Sequence, residues 1–439
     1  MEVFIQIVQF VFIISVLVIL HELGHFLPAR YFKTKVEKFY LFFDVKFSLF
    51  KKKIGETEYG VGWLPLGGYV KIAGMIDESM DTEQMAQEPQ PWEFRSKPAW
   101  QRLIIMLGGV TVNFFLAWLI YTLLFFSNGD TYIPADSLKY GIQVDSIGEQ
   151  LGLRTGDQIL AIDGKKTKKF NEAVIDIILG DEITVNRNGE EVTFPLTGEN
   201  KKSVFEAQGR NFLGYRRKAL IESVTENTVA SKAGIMAGDE IVGINGKEVL
   251  YWNEFREIVG ASPNKPLDIE IMRNGRKEQI QLTVPEEAAI GVRLDDKDIT
   301  VTDEYGFFAA IPAGFTRTIE VLTKQVKQFK VIFNTDTGAY KQVKGPIGIV
   351  SLMSPTWDWT FILGFMAMFS VWLAFLNILP IPALDGGHVM FLLYEMISGR
   401  KPSEKVLEIG QIVGFVILMG LMAVIFGNDI WNVVKNYFN

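Results

Sequence analysis

Val16-Leu-Val-Ile-Leu20-His21-Glu22-Leu23-Gly24-His25 carries an apolar run straight into two histidines and an acid. The run starts near Val3, so residues 3–20 are long enough to cross a bilayer as a helix. It lacks the basic start and small-residue exit of a cleaved leader, and we read it as a permanent span. On a helix, residues four apart share a face, so His21 and His25 can reach one metal ion, with Glu22 near that face as a base. Zinc suits the pair, because it accepts neutral imidazole and keeps an open coordination position. The chain has only three histidines, and two stand at this spacing. They also stand where a membrane helix ordinarily avoids polar groups, which marks function more often than packing.

Two histidines leave a catalytic zinc one ligand short. Asn377-Ile-Leu-Pro380-Ile-Pro382-Ala-Leu-Asp385-Gly386-Gly387-His388 offers the third. A carboxylate at membrane depth costs roughly 2.5–3.5 kcal/mol at a helix centre, and a metal would offset that. Pro380 and Pro382 break the helix, and the two glycines let backbone approach closely. Irregular backbone at this depth is tolerated only in a protein interior or a wet cavity. Asp385 is therefore the candidate ligand, with His388 as an alternative or as a neighbour to the site.

Composition supports a division of the chain. Of 439 residues, 48% are hydrophobic yet 22% are charged, which points to apolar spans alternating with a soluble part. Further spans are expected at residues 103–126, 361–379 and 406–426. Lys and Arg crowd the segment between the first two spans and recur between the last two, at Arg400, Lys401 and Lys405. Both segments should face the cytoplasm, leaving the long segment between spans two and three outside. A net charge of −7 argues against a nucleic-acid partner. The absence of cysteine excludes disulfides and thiolate ligands.

The long segment contains a repeat. Leu151-Gly-Leu-Arg-Thr-Gly-Asp-Gln-Ile-Leu-Ala-Ile-Asp-Gly-Lys165 matches Ala233-Gly-Ile-Met-Ala-Gly-Asp-Glu-Ile-Val-Gly-Ile-Asn-Gly-Lys247, and Arg187-Asn-Gly189 matches Arg273-Asn-Gly275. Asp-Gly and Asn-Gly are hairpin turns, each flanked by alternating strands and followed by a helical stretch, near Asn171 to Leu179 and Trp252 to Val259. The pattern resembles the PDZ domain in its bacterial, protease-associated form. Such domains bind extended peptide at a sheet edge; here they can equally act as a size filter or as spacers. A later stretch, Tyr305 to Phe333, is amphipathic and expected either at the outer interface or beneath the second module.

Taken together, H-E-x-x-H in the first span, Asp-Gly after the third and PDZ-like modules between spans two and three resemble the site-2 protease family of intramembrane metalloproteases, in its branch with two tandem PDZ domains. The resemblance covers essentially the whole chain. It implies zinc held by His21, His25 and Asp385, with Glu22 as catalytic base. It also implies that Asn377 holds substrate. Gly67-Gly68-Tyr69-Val70-Lys71 resembles the family's β-hairpin, which pairs with unwound substrate, and Gly108-Gly109-Val-Thr-Val-Asn113 resembles its glycine–asparagine motif. By residue type alone, those glycines allow close helix packing and Asn113 needs a hydrogen-bond partner. Where the family shows a serine- and glycine-rich run after the metal motif, this chain has Phe39-Tyr-Leu-Phe-Phe-Asp44.

The expected fold is thus an α-helical polytopic membrane protein with four transmembrane helices and two tandem β-rich (α+β) PDZ domains between helices 2 and 3. Residues 1–127 hold spans one and two, 128–210 and 211–288 the two PDZ domains, 289–358 a linker with the amphipathic helix, and 359–439 spans three and four. The resemblance implies a protease of single-span membrane proteins, such as a pre-trimmed anti-sigma factor or signal-peptide remnants. It would lie in a bacterial cytoplasmic (inner) membrane, with the modules periplasmic and the active site towards the cytoplasm. The rival reading is a membrane scaffold without activity; the intact H-E-x-x-H and Asp385 argue against it.

Overall fold

The computed structural model describes residues 1–75, 88–207, 212–294 and 299–438. It divides into two compact units. One comprises residues 1–129, 304–326 and 343–439; the other comprises residues 130–303 and 327–342.

Among the described residues, the first unit has four helices long and apolar enough to cross a membrane: Glu2–Tyr31, Ala99–Asn128, Trp359–Ile378 and Lys405–Trp431. The first runs on past Leu20, the expected end of the span, to Tyr31. His21 and His25 therefore lie within a helix that does not stop at them.

Leucine, isoleucine and methionine of the first three spans interlock around Ile13, Leu17, Ile120, Ile362 and Met366. Gly24 and Gly108 meet backbone to backbone, and a Cβ on either would collide with the other helix. The third span ends at Ile378, where the two prolines interrupt it as expected, and a separate helix, Asp385–Ser398, begins at the candidate ligand. Between them Ala383 is held at φ 95°, a left-handed conformation costly for a residue with a Cβ. Gly386 and Gly387 lie against the carbonyls of Ile378, Leu379 and Ile381, with no room for a side chain.

Between the first two spans, strands Val36–Ile54 and Thr57–Ile72 pair antiparallel, but both bend. Residues 57–62 pair with 48–54 on one side and with 36–41 on the other, and 36–41 then pairs with 68–72. The result is four arms, of which Gly68 to Ile72 forms an edge. Phe42 and Lys46 take positive φ at the bend. The aromatic run that departs from the family pattern therefore supplies an inner arm and the bend beside it.

The amphipathic helix spans Phe307–Phe333. Within the first unit, Phe315 packs on Phe114 and Trp118, and Trp118 Nε1 donates to the Ile311 carbonyl.

The second unit holds two β-rich modules of the same topology. In the first, Gln158–Ile162 pairs with Glu182–Arg187, which pairs with Glu190–Pro195; in the second, Glu240–Ile244, Pro266–Arg273 and Arg276–Thr283 repeat this. Helices Phe170–Leu179 and Trp252–Gly260 occupy equivalent places. Each module has its own apolar core, one around Ile177, Ile183 and Val185, the other around Phe255, Ile269 and Ile271. The repeated Gly-Asp and Arg-Asn-Gly signals have one cause. Arg187 grips Asp157 with two bonds of 2.8 and 2.7 Å and reaches the Gly152 carbonyl; Arg273 grips Asp239 with two of 2.7 Å and reaches the Gly234 carbonyl.

The expected boundary at residue 210 lies outside the described residues. Leu213–Tyr215 pairs with Ile142–Val144 and so closes the first module, although the expected layout gives residues from 211 onward to the second. Val292–Leu294 closes the second module against Ala219–Val224, past the expected end at 288. Both strands return only after an intervening segment, which hides their membership in the sequence. Lys327 and Lys330 of the amphipathic helix pair with Asp163 and Asp181 of the first module, not with the second.

Candidate metal centre and catalytic cavity

His21 and His25 lie one helical turn apart, and the break after the third span brings Asp385 to them. His21 Nε2 and His25 Nε2 are 3.3 Å apart, and each is 3.3 Å from Asp385 Oδ2. Among the described residues these three form the group that could hold a metal ion. A triangle with this edge is one face of a tetrahedron whose centre lies about 2.0 Å from each corner, the bond length zinc makes to nitrogen and oxygen. Asp385 Oδ2 is buried and has no hydrogen-bond partner, a costly state for a carboxylate unless a cation satisfies it. The donor set, two imidazoles and one carboxylate, fits zinc.

The surroundings orient these side chains. His25 Nδ1 lies 2.8 Å from the Ile105 carbonyl, so it carries the proton and leaves the Nε2 lone pair facing Asp385. Asn113, fully buried on the second span, places its amide 3.1 Å from His21 Nδ1. Its Oδ1 has no partner in that orientation. Turning the carboxamide over lets Oδ1 accept from His21 Nδ1–H, which satisfies both groups and frees Nε2 for a metal. Gly109 lies directly over both rings, where a Cβ would strike His25 Nε2 and the His21 imidazole. Residue type alone gives this glycine pair to helix packing. Gly108 does serve packing, whereas Gly109 makes room for the two imidazoles.

A cavity of about 480 Å³ opens on this group. Its lining includes Glu22, Asn377, His388, Tyr69 and the edge arm from Gly67 to Ile72. The Val70 backbone N–H faces the Glu22 carboxylate. Asn377 Nδ2 is 3.4 Å from His21 Nε2. His388 lines the cavity but lies outside the three-ligand group. Gly68 packs against Val18 of the first span, and Tyr69 donates to Asp44 at 2.9 Å. Pro380 is not among the lining residues; it acts through the break, whereas Pro382 backs onto Gly387 and Gly414. Sequence reasoning missed Gln411, a buried amide on the fourth span that also lines this cavity.

Comparison with known proteins agrees with this arrangement. The model of Peptidase family M50 matches residues 9–421. The regulator of sigma-E protease RseP of Escherichia coli is 31% identical, over 96% of this chain and 97% of its own. The regulator of sigma E protease of Salmonella typhimurium is 30% identical over the same shares. Protease RseP of Yersinia pestis is 28% identical, again over 96% and 97%.

Proposed function

The chain belongs to peptidase family M50, the site-2 protease family, and from that premise we propose that it hydrolyses a peptide bond in or beside the transmembrane segment of single-span membrane proteins. The observation that carries this reading is the 3.3 Å triangle of His21, His25 and Asp385 beside Glu22, in a cavity bordered by a sheet edge. When bound, zinc polarises the scissile carbonyl and makes water a nucleophile near neutral pH. Glu22 takes the water proton and returns it to the leaving amine. Asn113 and the Ile105 carbonyl hold the imidazoles in the tautomers that leave Nε2 free.

A transmembrane helix hides its backbone bonds, so a substrate must unwind before cleavage. The edge at Gly68, Tyr69 and Val70 pairs with the extended segment and replaces helical hydrogen bonds lost. Asn377 steadies the same segment near His21. The two modules are PDZ domains that control access, excluding substrates with bulky external parts. Substrates of this kind include a pre-trimmed anti-sigma factor and signal-peptide remnants. The protein works in a bacterial inner membrane, with the active site towards the cytoplasm and the PDZ domains outside.

The test is cleavage of a tagged single-span substrate without its external domain by detergent-purified protein. Wild type should cleave it, and Glu22→Gln should lose about 10²–10⁴ in rate while keeping its metal. Equal cleavage by both would remove Glu22 from the mechanism.

A further inference from the structure

Gln411 is the only side chain between Glu408 and Asn428 that can form a conventional hydrogen bond. It is 6% exposed, yet it lines the catalytic cavity together with Asn377, Leu384, Asp385 and His388. Its placement is fixed by its neighbours. A Cβ on Gly414 would collide with the Pro382 carbonyl, and one on Gly410 would crowd Phe391. These glycines seat one face of the fourth span on the broken segment that carries Asp385. A buried amide in an apolar span is costly unless something pairs with it. A carboxamide offers one acceptor and two donors, which matches the N–H and C=O of a peptide group in extended backbone.

We propose that Gln411 is a substrate-positioning residue whose carboxamide binds a backbone peptide group of the unwound substrate segment from the fourth-span side of the cavity. This rests on the protease reading above. It differs from the edge-strand pairing, because it places a second backbone contact on a separate element. Loss of one neutral hydrogen bond predicts a fall of about 3–10-fold in kcat/KM.

The experiment uses the full-length protein in detergent, as wild type and Gln411→Met, which keeps the volume and removes the amide. Each is given a tagged single-span substrate and a series in which one backbone amide near the cleavage site is replaced by an ester. The ester cannot donate, and its carbonyl is a weaker acceptor. Gln411→Met should lower kcat/KM about 3–10-fold on the all-amide substrate with metal content unchanged, and the loss should vanish for one ester position. An equal loss on every ester, a loss of metal, or no loss at all would overturn the inference. If wild type cleaves no single-span substrate, the protease reading itself falls, and this inference falls with it.

Discussion

The buried aspartates of the two units are held in different ways. In the second unit, Asp157 and Asp239 are each 1% exposed and fully met by an arginine and a backbone N–H. In the first unit, buried Asp385 Oδ2 has no hydrogen-bond partner and lies 3.3 Å from the Nε2 atoms of His21 and His25. An aspartate satisfied from within holds a fold together, whereas one left open between two imidazoles is placed to meet a cation. The two aspartate classes can therefore be told apart by substitution.

The largest contrast is between Asp385→Asn and Asp239→Asn. The first should abolish cleavage while leaving the modules intact. The second breaks a buried ion pair, at a cost of about 3 kcal/mol. Hydrogen exchange across residues 219–294 should then accelerate roughly a hundredfold, with cleavage of a pre-trimmed substrate retained. Loss of activity from both, or of protection from both, would erase the distinction.

Asn113→Ala should have the next effect. It removes the group that sets the His21 tautomer, and metal affinity should fall about 10–100-fold in a chelator competition. Unchanged affinity would return Asn113 to a packing role.

Acid sharpens the comparison within the second unit. Burial pushes the Asp239 carboxyl up, but the Arg273 hydrogen bond and the Met236 N–H outweigh it and hold it below the ordinary carboxylate value. A depressed folded pKa means stability that is present above the unfolded value and lost as pH falls through the folded one. Protection of the second module should thus decline below about pH 4. In Asp239→Asn that decline should be smaller.

The smallest effect belongs to Asp163→Asn. Asp163 occupies a hairpin turn at φ 51° and pairs with Lys327; Asn245 holds the equivalent turn at φ 50°. The turn accepts Asn, and the pair is partly exposed, so the change should cost about 0–1 kcal/mol by thermal unfolding.

Much of this is legible in the sequence because a membrane span has few polar residues and each stands out. His21, His25 and Asp385 are readable for that reason, and the helix break is readable from Pro380 and Pro382. The repeat is readable because Asp-Gly and Asn-Gly turns fall in register. Other features depend on tertiary contact. The inner arm of the first strand is set off by bends at Phe42 and Lys46, where no turn residue stands. The slot at Gly109 is visible only once two helices cross, and although Gln411 stands out in the sequence as a lone amide, its place in the cavity shows only when the fourth span is seated on Pro382.

The most direct measurement is the metal content of detergent-purified protein by mass spectrometry, on wild type and on Asp385→Asn. The account predicts about one zinc per wild-type chain and little in Asp385→Asn, with both chains folded. Wild-type protein that takes up no zinc from a zinc-buffered solution, or Asp385→Asn that retains it fully, would contradict the metal centre.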